Sequence, residues 1–215
     1  MKKMILGFGI LLCVMLVYEL YKTLSARAKT EQLFLQYLSG PNIKIKASDL
    51  SKRQIDHLLG IQDPSFYTHK GVDGKTAGAG VTTITQAVVK KLYFKKFKKG
   101  FAKIEQSLIA RYAVDPLISK QDQLTVFVNI VYWGKCNGRH VHGLTDASLC
   151  YTGKDFIDIS ELEYHGLITM LMAPNTYHPK RHPQIYARRL ARVNNLLDGV
   201  CKPANYMDVT YENCD

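Results

Sequence analysis

Two stretches of this 215-residue chain carry residue types and spacings suited to chemistry. The first, GIQDPSFYTHKGVD from Gly60 to Asp73, sets Gln62, Asp63 and His69 around an aromatic, Phe66. Asp63 could take a proton, or could anchor the loop by accepting from backbone amides. His69 could act as a base, bind phosphate, or fix the loop through one hydrogen bond. The second stretch, GVTTITQAVVK from Gly80 to Lys90, places Thr82, Thr83, Thr85 and Gln86 ahead of Lys90. Neutral donors followed by a cation suit a group that gains negative charge during a reaction; the alternative is that the threonines cap a helix. Beyond it, KKLYFKKFKK from Lys90 to Lys99 holds six lysines around Tyr93, Phe94 and Phe97. That pattern suits a lipid surface with anionic headgroups, or else a solvated basic helix face. His140 and His142 form a His-x-His with no third ligand at metal spacing, so a metal site stays unassigned.

These residues must be held by helices. Ser25 to about Leu38 is helical and moderately polar, ending at Ser39-Gly40-Pro41. Ser48 or Asp49 offers an N-cap for a helix over Leu50–Leu59. The glycine-rich stretch from Tyr67 to Gly80 reads as a flexible loop. Helical spacing returns at Thr83 and continues, interrupted at Gly100, with Ile104, Leu108, Ile109 and Tyr112 on one face. Asp115-Pro116 stops it, and Ser119 caps the next helix. A second polar loop is expected from Gly134 to His142. Ser160 and Glu163 form a capping box, and QIYARRLARVNNLLDG is a last basic amphipathic helix. The class is mainly α.

Lys2 and Lys3 precede an uncharged apolar run from Met4 to Tyr18 that continues to Tyr21. A cleaved signal peptide competes with an anchor. The small-x-small candidate Ala26-Arg27-Ala28 lies beyond Glu19 and Lys22, which favours retention as a transmembrane helix. The lysines then stay in the cytoplasm and the rest lies outside, a single-pass arrangement. A net charge of +11 predicts an anionic partner: membrane lipid, a phosphorylated ligand or nucleic acid, the last excluded in practice by export. Cys136, Cys150, Cys201 and Cys214 allow three pairings in an oxidising compartment.

The chain from about Leu50 to Val200 resembles the peptidoglycan glycosyltransferases of family 51, found as monofunctional transglycosylases and as the first domain of bifunctional penicillin-binding proteins. QDPSFYTHKG carries Asp63, Phe66, His69 and Gly71 of the family's first motif, and GVTTITQAVVK is its second. Ser119-Lys120, Asn129 with VYWG, YTGK, and APNTYHP followed by ARR occur in the family's order. The resemblance implies a lysozyme-like domain behind one N-terminal transmembrane helix. Segments 1–3, 4–21, 22–49, 50–200 and 201–215 are then cytoplasmic tail, anchor, juxtamembrane stalk, glycosyltransferase domain and C-terminal tail. It implies a place in the bacterial inner (cytoplasmic) membrane with the domain on the periplasmic side. The substrate would be lipid II, a disaccharide-peptide on undecaprenyl pyrophosphate, with the nascent glycan strand. Cell-wall synthesis proteins would be partners, and a divalent cation, Mg²⁺ or Mn²⁺, would sit near the pyrophosphate.

Three departures concern the chemistry. The family's first-motif glutamate, which deprotonates the acceptor sugar's 4-hydroxyl, is Gln62 here. A second family glutamate falls on Gln106, aligned through Lys103, with Glu105 in its place only if the register shifts by one; the segment before Ser119 is also about one residue longer than usual. Thr125 replaces a further common glutamate. Catalytic positions are therefore Gln62, Asp63 and Gln106, and substrate-binding ones His69, Thr82, Thr83, Gln86, Lys90, Lys103 and Asn129. The leading expectation is a polymerising enzyme, the rival a catalytically impaired relative that binds lipid II or a cell-wall partner.

Overall fold

The computed structural model describes residues 2–98 and 100–215, so Lys99 of the basic stretch and Met1 of the N-terminal tail lie outside it, as do the side chains of residues 2–4. Helix α1 (Lys2–Leu38) runs unbroken for 37 residues, about 55 Å at 1.5 Å per residue. Among the described residues it is the one helix long and apolar enough to cross a membrane. Its first half is bare: Ile5, Leu6, Phe8, Leu11, Val14 and Val17 are all exposed. From Glu19 onward a buried stripe appears, Glu19, Thr23, Ala26, Thr30 and Phe34, at the three- and four-residue intervals of one helix face. The segment expected as a stalk is thus the second half of α1, docked along the domain. Three polar contacts fix its rotation. Lys22 pairs with Glu105 at 3.1 Å, Arg27 donates to the Tyr112 carbonyl, and the Thr30 and Tyr93 hydroxyls meet at 2.7 Å.

The domain is built from α2 (Lys52–Gln62), α3 (Ile84–Tyr93), α4 (Phe101–Ile109), a π turn (Ala110–Val114), the short α5 (Asp115–Leu117), α6 (Lys120–Ile130), α7 (Leu144–Thr152), α8 (Glu161–Met170) and α9 (Pro183–Leu197). The mainly α expectation holds. Helix α2 is capped by Ser51 in a box with Gln54, not by Ser48 or Asp49, because Asp49 is engaged with the Lys46 amide of a preceding 3₁₀ turn. The helix also runs three residues past Leu59 and ends on Gln62 itself.

The expected polar loop over Gly134–His142 is instead a β-hairpin, β1 (Tyr132–Cys136) against β2 (Arg139–His142). Asn137 and Gly138 both take positive φ at its tip, the geometry a two-residue hairpin turn requires. A Cys136–Cys150 disulfide ties it to α7. A second disulfide, Cys201–Cys214, closes the C-terminal segment, which packs on the domain and does not trail from it: Tyr211 is fully buried. The face predicted from Ile104 and Tyr112 is only partly inward. Both are exposed, as is Phe101, while Gln106, Ile109, Ala110, Ala113 and Val114 are buried. Ile104 faces out within α4 itself, upstream of the π turn; the π turn then changes the phase of the helix, so a stripe extrapolated at 3.6 residues per turn is off the core by Tyr112.

Because Phe34 is fully buried where α1 meets the domain, Phe34→Ala should cost about 3–5 kcal/mol in urea unfolding of the detergent-solubilised chain.

Candidate active site

The site grows from the end of α2. Asp63 caps that helix, its amide bonded to the Leu59 carbonyl, and its carboxylate is completely buried. Nε2–H of His69 donates to both carboxylate oxygens at 2.9–3.0 Å, and the Ile84 amide donates to Oδ2 at 2.8 Å. The other ring nitrogen of His69, Nδ1, accepts from the Gly71 amide at 3.0 Å. Gly71 in turn accepts from the Thr83 hydroxyl through its carbonyl, 2.8 Å. The end of α2, the loop and the start of α3 therefore close on one another through a ring of hydrogen bonds. Gly71 must be glycine: φ is +79°, and a Cβ would stand 2.4 Å from the Ala110 carbonyl oxygen. Lys120, held by Asp115 at 2.6 Å, donates to the His69 carbonyl and lies over the Phe66 ring.

Thr83 and Gln86 turn inward. They form the capping box of α3, Gln86 donates onward to the Ser107 hydroxyl at 2.8 Å, and both are nearly fully buried. Gln106 lies beneath them. Its Nε2 donates to the Gln86 carbonyl at 2.6 Å, while its Oε1 is buried without a partner. Glu105 points the other way, to Lys22 of α1, so the register that puts Gln106 inward is the one the chain adopts. Asn129 clamps the segment after α1, accepting from the Lys44 amide and donating to the Ile45 carbonyl. Thr125 donates no charge there either; its hydroxyl accepts from the Ala47 amide.

What remains facing solvent is a cleft of about 450 Å³. Gln62, Thr82, Lys90 and Arg189 give it polar groups, and Phe127, Leu171, Met172, Met207 and Val209 give it an apolar wall. Lys103 reaches its edge, Nζ donating to the Thr82 hydroxyl at 3.0 Å. Burial pushes the Lys103 pKa below the ordinary lysine value, and Lys90 adds to the shift. Arg189, the last residue of the ARR motif, was not among the residues expected at the site. It is almost fully buried, stacks on the Tyr211 ring at 4.3 Å, and leaves Nε and Nη1 without partners; burial lowers its pKa. Unpaired donors on a buried cation are costly, and an anion in the cleft would offset that cost. Among the described residues no carboxylate lines the cleft. Mg²⁺ and Mn²⁺ sites are built on carboxylate oxygens, so these side chains do not furnish one.

The C-terminal segment completes one wall. The Gly78 and Gly80 amides donate to the Asn205 and Tyr206 carbonyls at 3.0 and 2.7 Å, and the Tyr211 hydroxyl donates to the Ile61 carbonyl next to Gln62. The glycine-rich loop is thus tied down along one side. Asp73 ties it further, accepting from Ser65, Lys75 and Thr76.

A family model described as Transglycosylase matches residues 32–198. The chain is 28% identical over 177 residues to penicillin-binding protein 1B of Escherichia coli strain K12, which covers 74% of this chain and 21% of that protein. It is 29% identical over 167 residues to penicillin-binding protein 1A of Neisseria flavescens, 71% of this chain and 20% of the relative. Penicillin-binding protein 1F of Bacillus subtilis strain 168 is 27% identical over 152 residues, 65% and 21%. The chain spans about a fifth of the length of these curated relatives.

The Lys103 amine attracts an anion only when it is protonated. Affinity for inorganic pyrophosphate, followed by calorimetry, should therefore fall as pH rises through the lowered Lys103 pKa, and Lys103→Arg, which keeps its charge, should move the fall to higher pH.

Proposed function

Because the chain belongs to the transglycosylase family, a family of mainly α, lysozyme-like domains, we propose that its cleft receives lipid II and the growing glycan strand. We further propose that it polymerises them slowly for want of a general base. One observation carries the proposal: the cleft is lined by Gln62, Thr82, Lys90 and Arg189, with no carboxylate among the described lining residues. Thr82, Lys90, Lys103 and Arg189 would hold the pyrophosphate and stabilise its charge as it leaves the donor's anomeric carbon. The acceptor 4-hydroxyl must lose its proton as it attacks. Gln62 can accept a hydrogen bond from that hydroxyl but cannot take the proton, a contribution of ~10²–10⁴ in rate. Asp63 does not stand in, since its oxygens are buried and committed to His69 and Ile84.

The setting supports a lipid-linked substrate. Helix α1 would cross the bacterial cytoplasmic membrane, with Lys2 and Lys3 on the cytoplasmic side and the domain outside. The domain docks on α1 from Glu19 onward, which would set it against the membrane surface. Phe101 and Ile104 are exposed beside Glu105, the partner of Lys22 at the end of the apolar run, and would dip among the lipids. A specific contact favours the stricter alternative, a receptor without turnover: the Gln106–Gln86 hydrogen bond needs the amide N–H that an ionised glutamate lacks.

With labelled lipid II, Lys90→Ala should weaken binding about tenfold, the loss expected of one charge-assisted hydrogen bond; unchanged affinity would remove the substrate from this cleft. Gln62→Glu should raise polymerisation by ~10²–10⁴ over the parent. If parent and mutant both bind lipid II and neither forms glycan, the receptor alternative holds.

A further inference from the structure

On the side of the domain formed by α2 and α8, three nitrogen and oxygen donors converge that the cleft does not use. His57 of α2 faces His165 and Glu161 of α8, and the candidate ligand atoms all lie within 4.8 Å of one another. His57 Nδ1 is 2.7 Å from His165 Nε2, and His165 Nε2 is 3.6 Å from Glu161 Oε1. Glu161 and His165 are one helical turn apart, so both project from one face of α8. His165 is about nine-tenths buried, and its orientation is set from behind. Its Nδ1–H donates to the Asn194 carboxamide oxygen of α9 at 3.0 Å, which leaves the Nε2 lone pair pointing at His57. A second partner that fixes tautomer and ring orientation in this way is what metal-ligating histidines ordinarily have.

We propose that His57, His165 and Glu161 bind a zinc-class divalent ion that clamps α2 to α8. Two imidazoles and one carboxylate are a donor set suited to Zn²⁺. Ligand atoms at about 2.0–2.1 Å from a tetrahedral ion stand roughly 3.3–3.4 Å apart. The His165–Glu161 spacing is close to this, and the two imidazoles need to part by roughly 0.6 Å relative to that geometry, which half-buried His57 can do by turning its ring. Arg53 now pairs with Glu161 at 2.8 Å but is itself largely exposed, so releasing it costs little. The space beside the cluster, about 220 Å³ lined by Ser51, Arg53, Gln54 and Tyr164 together with His57 and Glu161, admits water as the fourth ligand. The clamp acts on the helix that ends at Gln62, and so on the rigidity of the cleft's floor.

The test uses the full untagged chain in detergent, stripped of metal and titrated with Co²⁺ and then Zn²⁺. The parent should take up one equivalent, show the intense visible absorption of four-coordinate Co²⁺, and melt at higher temperature with Zn²⁺. His57→Gln and Glu161→Gln, both at accessible positions, should each weaken binding at least tenfold and remove the thermal shift. The pair His140→Ala with His142→Ala should bind as the parent does. Absence of a bound equivalent in the parent, binding that survives His57→Gln, or binding lost with the His140 and His142 changes would overturn the assignment.

Discussion

The Asp63 carboxylate holds the site together. It is the point at which the C-terminus of α2, the loop through His69 and Gly71, and the first amide of α3 meet. Burying a carboxylate is expensive unless each oxygen finds donors, and both oxygens of Asp63 do. The arrangement commits the residue. Were it to swing toward the cleft, the Ile84 amide and the His69 ring would lose their acceptor in a dry interior, and the Thr83–Gly71 contact that sets the loop against α3 would lose its support. Structure and catalysis therefore compete for the same side chain, and the hydrogen bonds show that structure has it. Gln62, one residue earlier and partly buried, lines the cleft in its place.

The two glutamines share a physical logic. Each keeps nearly the size and shape of a glutamate while giving up its charge and its ability to take a proton. Gln106 makes the point from the interior. Its amide N–H serves the Gln86 carbonyl, which no ionised acid could do, while its orphaned Oε1 costs on the order of 1–3 kcal/mol. A neutral side chain is tolerated there at that cost, and an ionised one would add the larger penalty of an unpaired buried charge.

Much of the helical framework was legible in the sequence because it rests on local signals: the Ser119, Ser160 and Thr83 caps, the breaker at Gly40-Pro41, and the 3.6-residue spacing; Asp115-Pro116, expected to stop its helix, instead lies within helical backbone that runs on to Leu117. The cationic side of the cleft was legible too, through Thr82, Lys90 and Lys103. Thr83, Gln86 and Asn129 have their hydrogen-bonding groups engaged by the backbone and by neighbouring side chains, a burden that residue type alone does not reveal. What was hidden depends on contacts far apart in the chain. Arg189 is buried through Tyr177 and Tyr211, and the C-terminal segment looked like a tail because nothing local says that Tyr211 reaches Ile61. The hairpin is different. Asn137-Gly138 is a local signal, masked by the glycine and histidines around it, which read as loop.

The π turn joins these levels. The segment before Ser119 contains a turn with i→i+5 bonds, which accommodates one residue beyond an α-helical turn. Placing the extra residue at Ala110–Val114 keeps α4 in register upstream, so that Gln106 stays under Gln86 and Glu105 stays on α1. It also fixes where the Ala110 carbonyl lies, against the bare Cα of Gly71. An extra residue absorbed instead between Lys103 and Gln106 would have rotated α4 by about 100° per residue, exchanging the Lys22 partner for a core position. The bulge thus lets the chain lengthen without disturbing either the docking of α1 or the loop that presents Gln62.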